Sequence, residues 1–123
     1  YESLPQPDGN IAPDDPKEIA QLVVDSGADL IIGNHPHTVQ GVQIMNTGFV
    51  TYAHGNFIFD QTWAEETKEG VVGEYTFYDK KLVAVHFKPT KYDGQYQPRF
   101  LDPIGEGAPI LKRMQDSSTQ LAK

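Results

Sequence analysis

Two histidines flank a proline at His35-Pro36-His37, and no other stretch of the chain is as suggestive chemically. A proline disfavours the helical region for the residue before it, which predicts an extended His35. In an extended chain, residues i and i+2 point to one side, roughly 6.5–7 Å apart at Cα. Two imidazoles so placed can converge on one metal ion or serve one each of two neighbouring ions. Neutral imidazole suits zinc, iron, nickel or copper, and added carboxylates admit manganese. The same pattern also describes two loop histidines engaged only in structural hydrogen bonds.

Two imidazoles do not complete a catalytic site. Zinc usually takes about three protein ligands and keeps one position open, and a two-metal clamp needs more. Asp29 lies a strand's length from the histidine loop. Asn34 adjoins the pair, and His54 and Asn56 end a nearby strand, so all three are candidates for the site rim or for contacts behind the ligands. Asp60 is a further candidate. Gly55-Asn56 also reads as a tight turn, because Gly and Asn tolerate positive φ. His86 alternates with apolar Val85 and Phe87 and reads as solvent-facing. Trp63, in a polar stretch, reads as a hydrophobic anchor more than as a ligand-stacking ring. Neither a G-x-S-x-G elbow nor a P-loop occurs. The pairs Asp14-Asp15 and Glu65-Glu66 point apart and read as a helix start and a solvated face.

The elements that must hold these residues are well punctuated. Residues 1–14 form a Pro- and Asp-rich extended lead-in. A helix over 15–27 starts with Asp15 as N-cap, Pro16 at its first position and Glu18 three residues after the cap. Ile19, Leu22 and Val23 are its expected apolar stripe, and Gly27 ends it. The run Ala28 to Gly33 predicts a strand over 29–33 buried on both faces of an α/β sheet. Functional loops gather at the carboxyl ends of such strands, where His35 and His37 sit. Hairpins follow at 42–53, around Asn46-Thr47-Gly48, and at 71–89, around Asp79-Lys80-Lys81. Residues 61–69 read as a polar loop, and Asp93-Gly94 as a turn. A last helix is expected at about 109–118, with Ile110, Leu111 and Met114 inward.

Composition bounds the function classes. The chain has 123 residues, enough for one small domain or part of a larger one. It does not begin with Met, which suggests a piece of a longer polypeptide. Ten Lys and Arg against 17 Asp and Glu give a net charge of −7, which disfavours nucleic acid or an anionic membrane surface as partner. Cysteine is absent, which excludes disulfides, thiolate zinc sites and thiol nucleophiles. No apolar run approaches the ~18 residues of a membrane helix, and no signal-peptide pattern opens the sequence.

The stretch from Gly27 through Asn34-His35-Pro36-His37-Thr38-Val39-Gln40, with the block Tyr52-Ala53-His54-Gly55-Asn56-Phe57-Ile58-Phe59-Asp60-Gln61, resembles the bacterial capsule-synthesis family of CapA type, associated with poly-γ-glutamate. Gly70 to Phe77, Lys81-Leu82, Gln97-Pro98-Arg99 and Ile110 to Arg113 fit the C-terminal end of that family. The family is similar to calcineurin-like metallophosphoesterases, an αββα sandwich around two metal ions. The resemblance implies an α/β fold, α+β in this piece, with residues 1–123 forming the C-terminal portion of such a domain. It implies that His35 and His37 match the late G-x-H-type motif as metal ligands, with Mn, Zn or Fe as the ions in the parent. The early motifs D-x-H, G-D and G-N-H-[DE] do not occur here. Gly33-Asn34-His35 opens like the last of these, but Pro36 stands where an acid is required, so Asn34 reads as a loop residue behind the ligands.

Two functions follow as expectations. In the first, the segment completes a metal-dependent phosphoesterase-like hydrolase and is inactive alone. In the second, the parent is a non-catalytic capsule-polymer assembly or export factor that keeps the fold. The expected partners are the missing N-terminal part of the same domain, a second copy of the chain and the capsule machinery, with no nucleic acid. The resemblance suggests a cell-envelope, extracellular or membrane-anchored parent.

Overall fold

The computed structural model describes residues 15–93 and 96–122. The lead-in over 1–14 and Gly94 of the expected turn lie outside them. Asp15 adopts extended backbone and its carboxylate accepts from Lys17 N at 3.0 Å, capping helix α1 (Pro16–Asp25). Ser26 closes the last turn, and Gly27 follows at φ +104°. The chain then forms β1 (Leu30–Ile32), β2 (Val42–Met45) and β3 (Gly48–Thr51). Beyond β3 come a short 3₁₀ turn (Glu66–Lys68), β4 (Glu69–Tyr78), β5 (Lys81–Tyr92), β6 (Pro98–Phe100) and helix α2 (Ala108–Leu121). The result is mixed α and β, as expected.

The strands make two small sheets, ordered β1-β3-β2 and β4-β5-β6. β2 and β3 are the antiparallel hairpin, with Asn46 at φ 51° in its turn, and β1 pairs parallel to β3. The β4–β5 hairpin turns through Asp79 and Lys80, both at positive φ, the geometry whose twist matches flanking strands. Its second strand continues to Tyr92, past the expected end at Pro89. Pro89 lacks an N–H, and that absence falls beside Leu101, just beyond the end of β6, where Pro89 O still accepts from Leu101 N at 2.9 Å.

Two expectations are corrected. Helix α1 buries Ala20 and Val24, while Ile19, Leu22 and Val23 remain exposed. The helix approaches the sheet along the Ala20–Val24 line because Gly48 lies beneath it; a Cβ there would stand 2.6 Å from a Val24 methyl. The strand expected to be buried on both faces is three residues long and lies at a sheet edge, with Ile32 51% exposed.

Two apolar clusters hold the structure. Ala20, Val24, Met45, Val50 and Tyr52 fill the space under α1. Val39, Val71, Leu101, Ile110 and Met114 join the second sheet to α2, whose inward face is the expected one. Burying each Val, Leu, Ile or Met side chain of these clusters contributes about 1.5–3 kcal/mol. Isolated bridges Val39–His54 and Gly55–Gly70 stitch the histidine loop and the end of β3 onto the second sheet. No helix among the described residues is long and apolar enough to cross a membrane.

Candidate metal-ligand cleft

The histidine loop leaves β1 at its carboxyl end, and Gly33 N donates to Thr51 O at 2.6 Å as the strand finishes. Asn34 folds its side chain back, and Asn34 Oδ1 accepts from His35 N at 2.8 Å. His35 then takes φ 94°, not the extended conformation expected from Pro36. Histidine is among the residues that tolerate this region better than most. The two rings therefore meet through a local turn instead of strand alternation. Their centroids are 5.9 Å apart, with planes tilted by 57°.

His37 is held on two sides. Its ring lies 4.7 Å from the Phe59 ring, and its Nδ1 is 2.8 Å from Asn56 Oδ1. Asn56 is buried, and its own orientation is fixed from behind. Asn56 Nδ2 donates to Thr67 O at 2.9 Å and to Gln61 Oε1 at 3.2 Å. A backbone carbonyl only accepts, so Nδ2 must face Thr67 and Oδ1 must face His37. Asn56 Oδ1 also only accepts, so His37 Nδ1 carries the proton. The neutral ring consequently has its lone pair on Nε2.

Thr67 and Gln61 are positioned in turn. Tyr92 buries its ring and donates its hydroxyl to Gln61 O and Thr67 O, each at 2.9 Å. Thr67 Oγ1 donates to Gln61 O and Ala64 O. The 3₁₀ turn bearing Thr67 is fastened by Glu65, which accepts from Lys68 and Lys91 at 2.6 Å each. Those two ammonium groups hold its carboxyl down at about 2.

A cleft of about 370 Å³ opens over this arrangement, lined by both imidazoles with Thr38, Gln40, Gln61, Trp63 and Thr67. Gln61 and Thr67 fall in the expected polar loop, and their hydrogen bonds to the buried Asn56 carboxamide hold both at the cleft. Trp63 is 75% exposed beside it and is no hydrophobic anchor. The other expected residues separate. Asn34 shapes the loop and reaches the groove beside α1. His54 turns away, its Nε2 2.9 Å from the Tyr75 hydroxyl, which is also 2.9 Å from Thr51 Oγ1. His54 packs near Tyr75 and Phe87, and burial pushes its pKa down. Asp29 and Asp60 are exposed and do not line the cleft.

The donor set fits part of a metal centre. His37 offers an oriented Nε2, and His35 stands beside it. Among the described residues, no group of three or more His, Asp or Glu side chains is arranged to hold a metal ion.

The fold and cleft define a mixed α/β segment that presents paired imidazoles at the carboxyl end of a strand. Residues 6–61, just under half of the chain, match the family described as bacterial capsule synthesis protein PGA_cap. The chain is 37% identical over 71 residues to the capsule biosynthesis protein CapA of Bacillus anthracis, covering 58% of this chain and 17% of that protein. It is 36% identical over 77 residues to the PGA biosynthesis protein CapA of Bacillus subtilis (strain 168), covering 63% and 20%. The chain thus spans about a fifth or less of the length of these curated relatives.

Proposed function

We propose that this segment supplies His35 and His37 as ligands to a divalent-metal centre in a capsule (poly-γ-glutamate) biosynthesis protein. The remaining ligands come from the polypeptide outside these 123 residues, and the completed centre is a phosphoesterase-like hydrolase. The observation that carries this reading is the anchored Asn56–His37 bond. A hydrogen-bonded partner behind a ligating histidine, fixing its tautomer, is the usual arrangement in metal sites. The positive φ of His35 at the same cleft supports it, since strained backbone clusters at functional positions.

A zinc, manganese or iron ion bound there supplies Lewis-acid polarisation of a phosphoester or related bond. This chain's own residues orient the ligands and wall the cleft. Asn56 and Phe59 fix the plane of the His37 ring. Asn56 also engages the Gln61 carbonyl oxygen, which directs the Gln61 amide nitrogen away from that bond as a donor beside the cleft. Two imidazoles without a bridging carboxylate make the segment inactive by itself. Capsule synthesis belongs to the cell envelope, where we place the parent and its partners in the capsule machinery.

Calorimetric titration of zinc and manganese into the complete polypeptide tests the proposal. Tight binding is expected in the native protein, with affinity reduced by about 100-fold or more in His35→Ala and His37→Ala. Unchanged affinity in both variants rules the proposal out. Metal binding lost with the imidazoles, but without turnover of any phosphoester, replaces the hydrolase with an assembly or export factor.

A further inference from the structure

Beside the imidazole pair, the cleft is lined by Thr38, Gln40, Gln61, Trp63 and Thr67, all of them uncharged. These side chains stand on fastened backbone. Gln40 N donates to Ala53 O at 3.1 Å, and Val39, buried between Thr38 and Gln40, bridges to His54. Trp63 lies between two carbonyls, Gln61 O and Ala64 O, which accept from Thr67 Oγ1 at 2.8 and 3.0 Å. Gln61 O takes a second bond from the Tyr92 hydroxyl. The charged side chains of the adjoining turn engage one another, Glu65 with Lys68 and Lys91.

The groups offered to a ligand are thus an indole, two carboxamides and a hydroxyl. Trp63 belongs to neither apolar cluster and gives the cleft a flat apolar surface. Gln61 Oε1 faces Asn56 Nδ2, which leaves Gln61 Nε2 as a donor. The Gln40 carboxamide both donates and accepts, and the Thr38 hydroxyl does either. A pyranose ring has the complementary parts: a face of C–H groups that covers an indole, and a rim of hydroxyls that each donate and accept. A carboxylate-bearing chain calls instead for the charged donors of Arg or Lys. The cleft volume of about 370 Å³ lies within the ~300–1,000 Å³ of small-ligand sites.

We propose that the cleft holds a neutral sugar ring, stacked on Trp63 and hydrogen-bonded by Thr38, Gln40 and Gln61, and that the phosphoester brought to the imidazole pair is a sugar phosphate. The phosphate end rests on the reading of His35 and His37 as metal ligands, and the sugar contact stands without it. Asn56 joins the two ends, because its Oδ1 meets His37 Nδ1 while its Nδ2 meets Gln61 Oε1. One buried carboxamide therefore sets both the imidazole and the sugar-side donor.

Two measurements on the complete polypeptide test the two ends separately. In metal-depleted protein, saturation-transfer NMR with methyl α-glucoside and methyl N-acetyl-α-glucosaminide is expected to mark the ring C–H protons of at least one of them. Trp63→Ala is expected to abolish the transfer, and Trp63→Phe to retain most of it. In zinc-loaded protein, calorimetry compares glucose 1-phosphate and N-acetylglucosamine 1-phosphate with inorganic phosphate. At least one sugar phosphate is expected to bind about 10-fold more tightly than phosphate, a ratio that falls toward one in Trp63→Ala. Saturation transfer that is absent, or indifferent to Trp63→Ala, overturns the sugar site whatever the metal does. Sugar phosphates that bind no more tightly than phosphate overturn the substrate assignment. Phosphate binding that survives both His35→Ala and His37→Ala counts against the metal reading alone and leaves the sugar site in place.

Discussion

His37 and His54 are each held through one ring nitrogen, His37 by Asn56 and His54 by Tyr75, and the two holds leave them in different situations. His37 is bonded at Nδ1 by a carboxamide whose polarity is imposed by the Thr67 carbonyl. That leaves Nε2 to the cleft. His54 commits its Nε2 to the Tyr75 hydroxyl and packs near Tyr75 and Phe87, so it joins β3's exit to the second sheet. The lesson is that a histidine's function follows from which nitrogen its neighbours occupy and from whether their polarity is itself fixed. The type and spacing of the residues in the sequence do not distinguish the two.

The change expected to act most strongly hits both histidines at once. Gly70 bridges Gly55, and a Cβ at Gly70 would stand 2.3 Å from Asn56 O. Gly70→Ala is expected to cost about 3 kcal/mol or more, because backbone must move. Chemical denaturation reads this, and loss of order at His37 and His54 should accompany it.

Asn56→Ala separates the two. It removes the partner of His37 Nδ1 and leaves the Thr67 carbonyl with one donor fewer. A stability loss of about 2 kcal/mol is expected, with metal affinity of the complete polypeptide falling about 10–100-fold. An Asn56→Ala protein that binds metal normally would break the distinction drawn between the two histidines.

Tyr75→Phe probes the other side. It removes the hydroxyl shared by His54 and Thr51 and is expected to cost about 1 kcal/mol without altering metal affinity. The pH dependence follows from the same packing. Burial lowers the His54 pKa in the folded chain, so the unfolded chain binds the proton more readily. Stability is then full above the unfolded pKa of about 6.5 and declines as pH falls through it toward the lower folded value. This is the smallest expected effect. His54→Gln should flatten the denaturation midpoint between pH 7 and pH 5, and an unchanged slope would show that another group sets it.

Local punctuation made much of the fold legible in the sequence. Asp15 and Pro16 marked the start of α1, and Asn46-Thr47-Gly48 and Asp79-Lys80 marked both hairpin turns. Tertiary contacts hid the rest. The helix face turned on Gly48, which lies far along the chain and lets Val24 approach the sheet. The His35-Pro36-His37 pair was visible, but its geometry was not, because Asn34 caps the His35 amide and sets a positive φ. Asn56 looked like a turn residue. Its role depends on Thr67 and Gln61, which a strand and a turn from elsewhere in the chain hold in place through Tyr92.

The central claim is that Asn56 sets His37 with Nε2 toward a metal position. Long-range proton–nitrogen correlation spectra of the complete polypeptide, depleted of metal and then titrated with zinc, test it most directly. The account predicts a neutral His37 protonated at Nδ1, with zinc shifting Nε2 of His37 and the ring resonances of His35 while those of His54 stay in place. A His37 protonated at Nε2, or a zinc response at His54 in place of the pair, would contradict it.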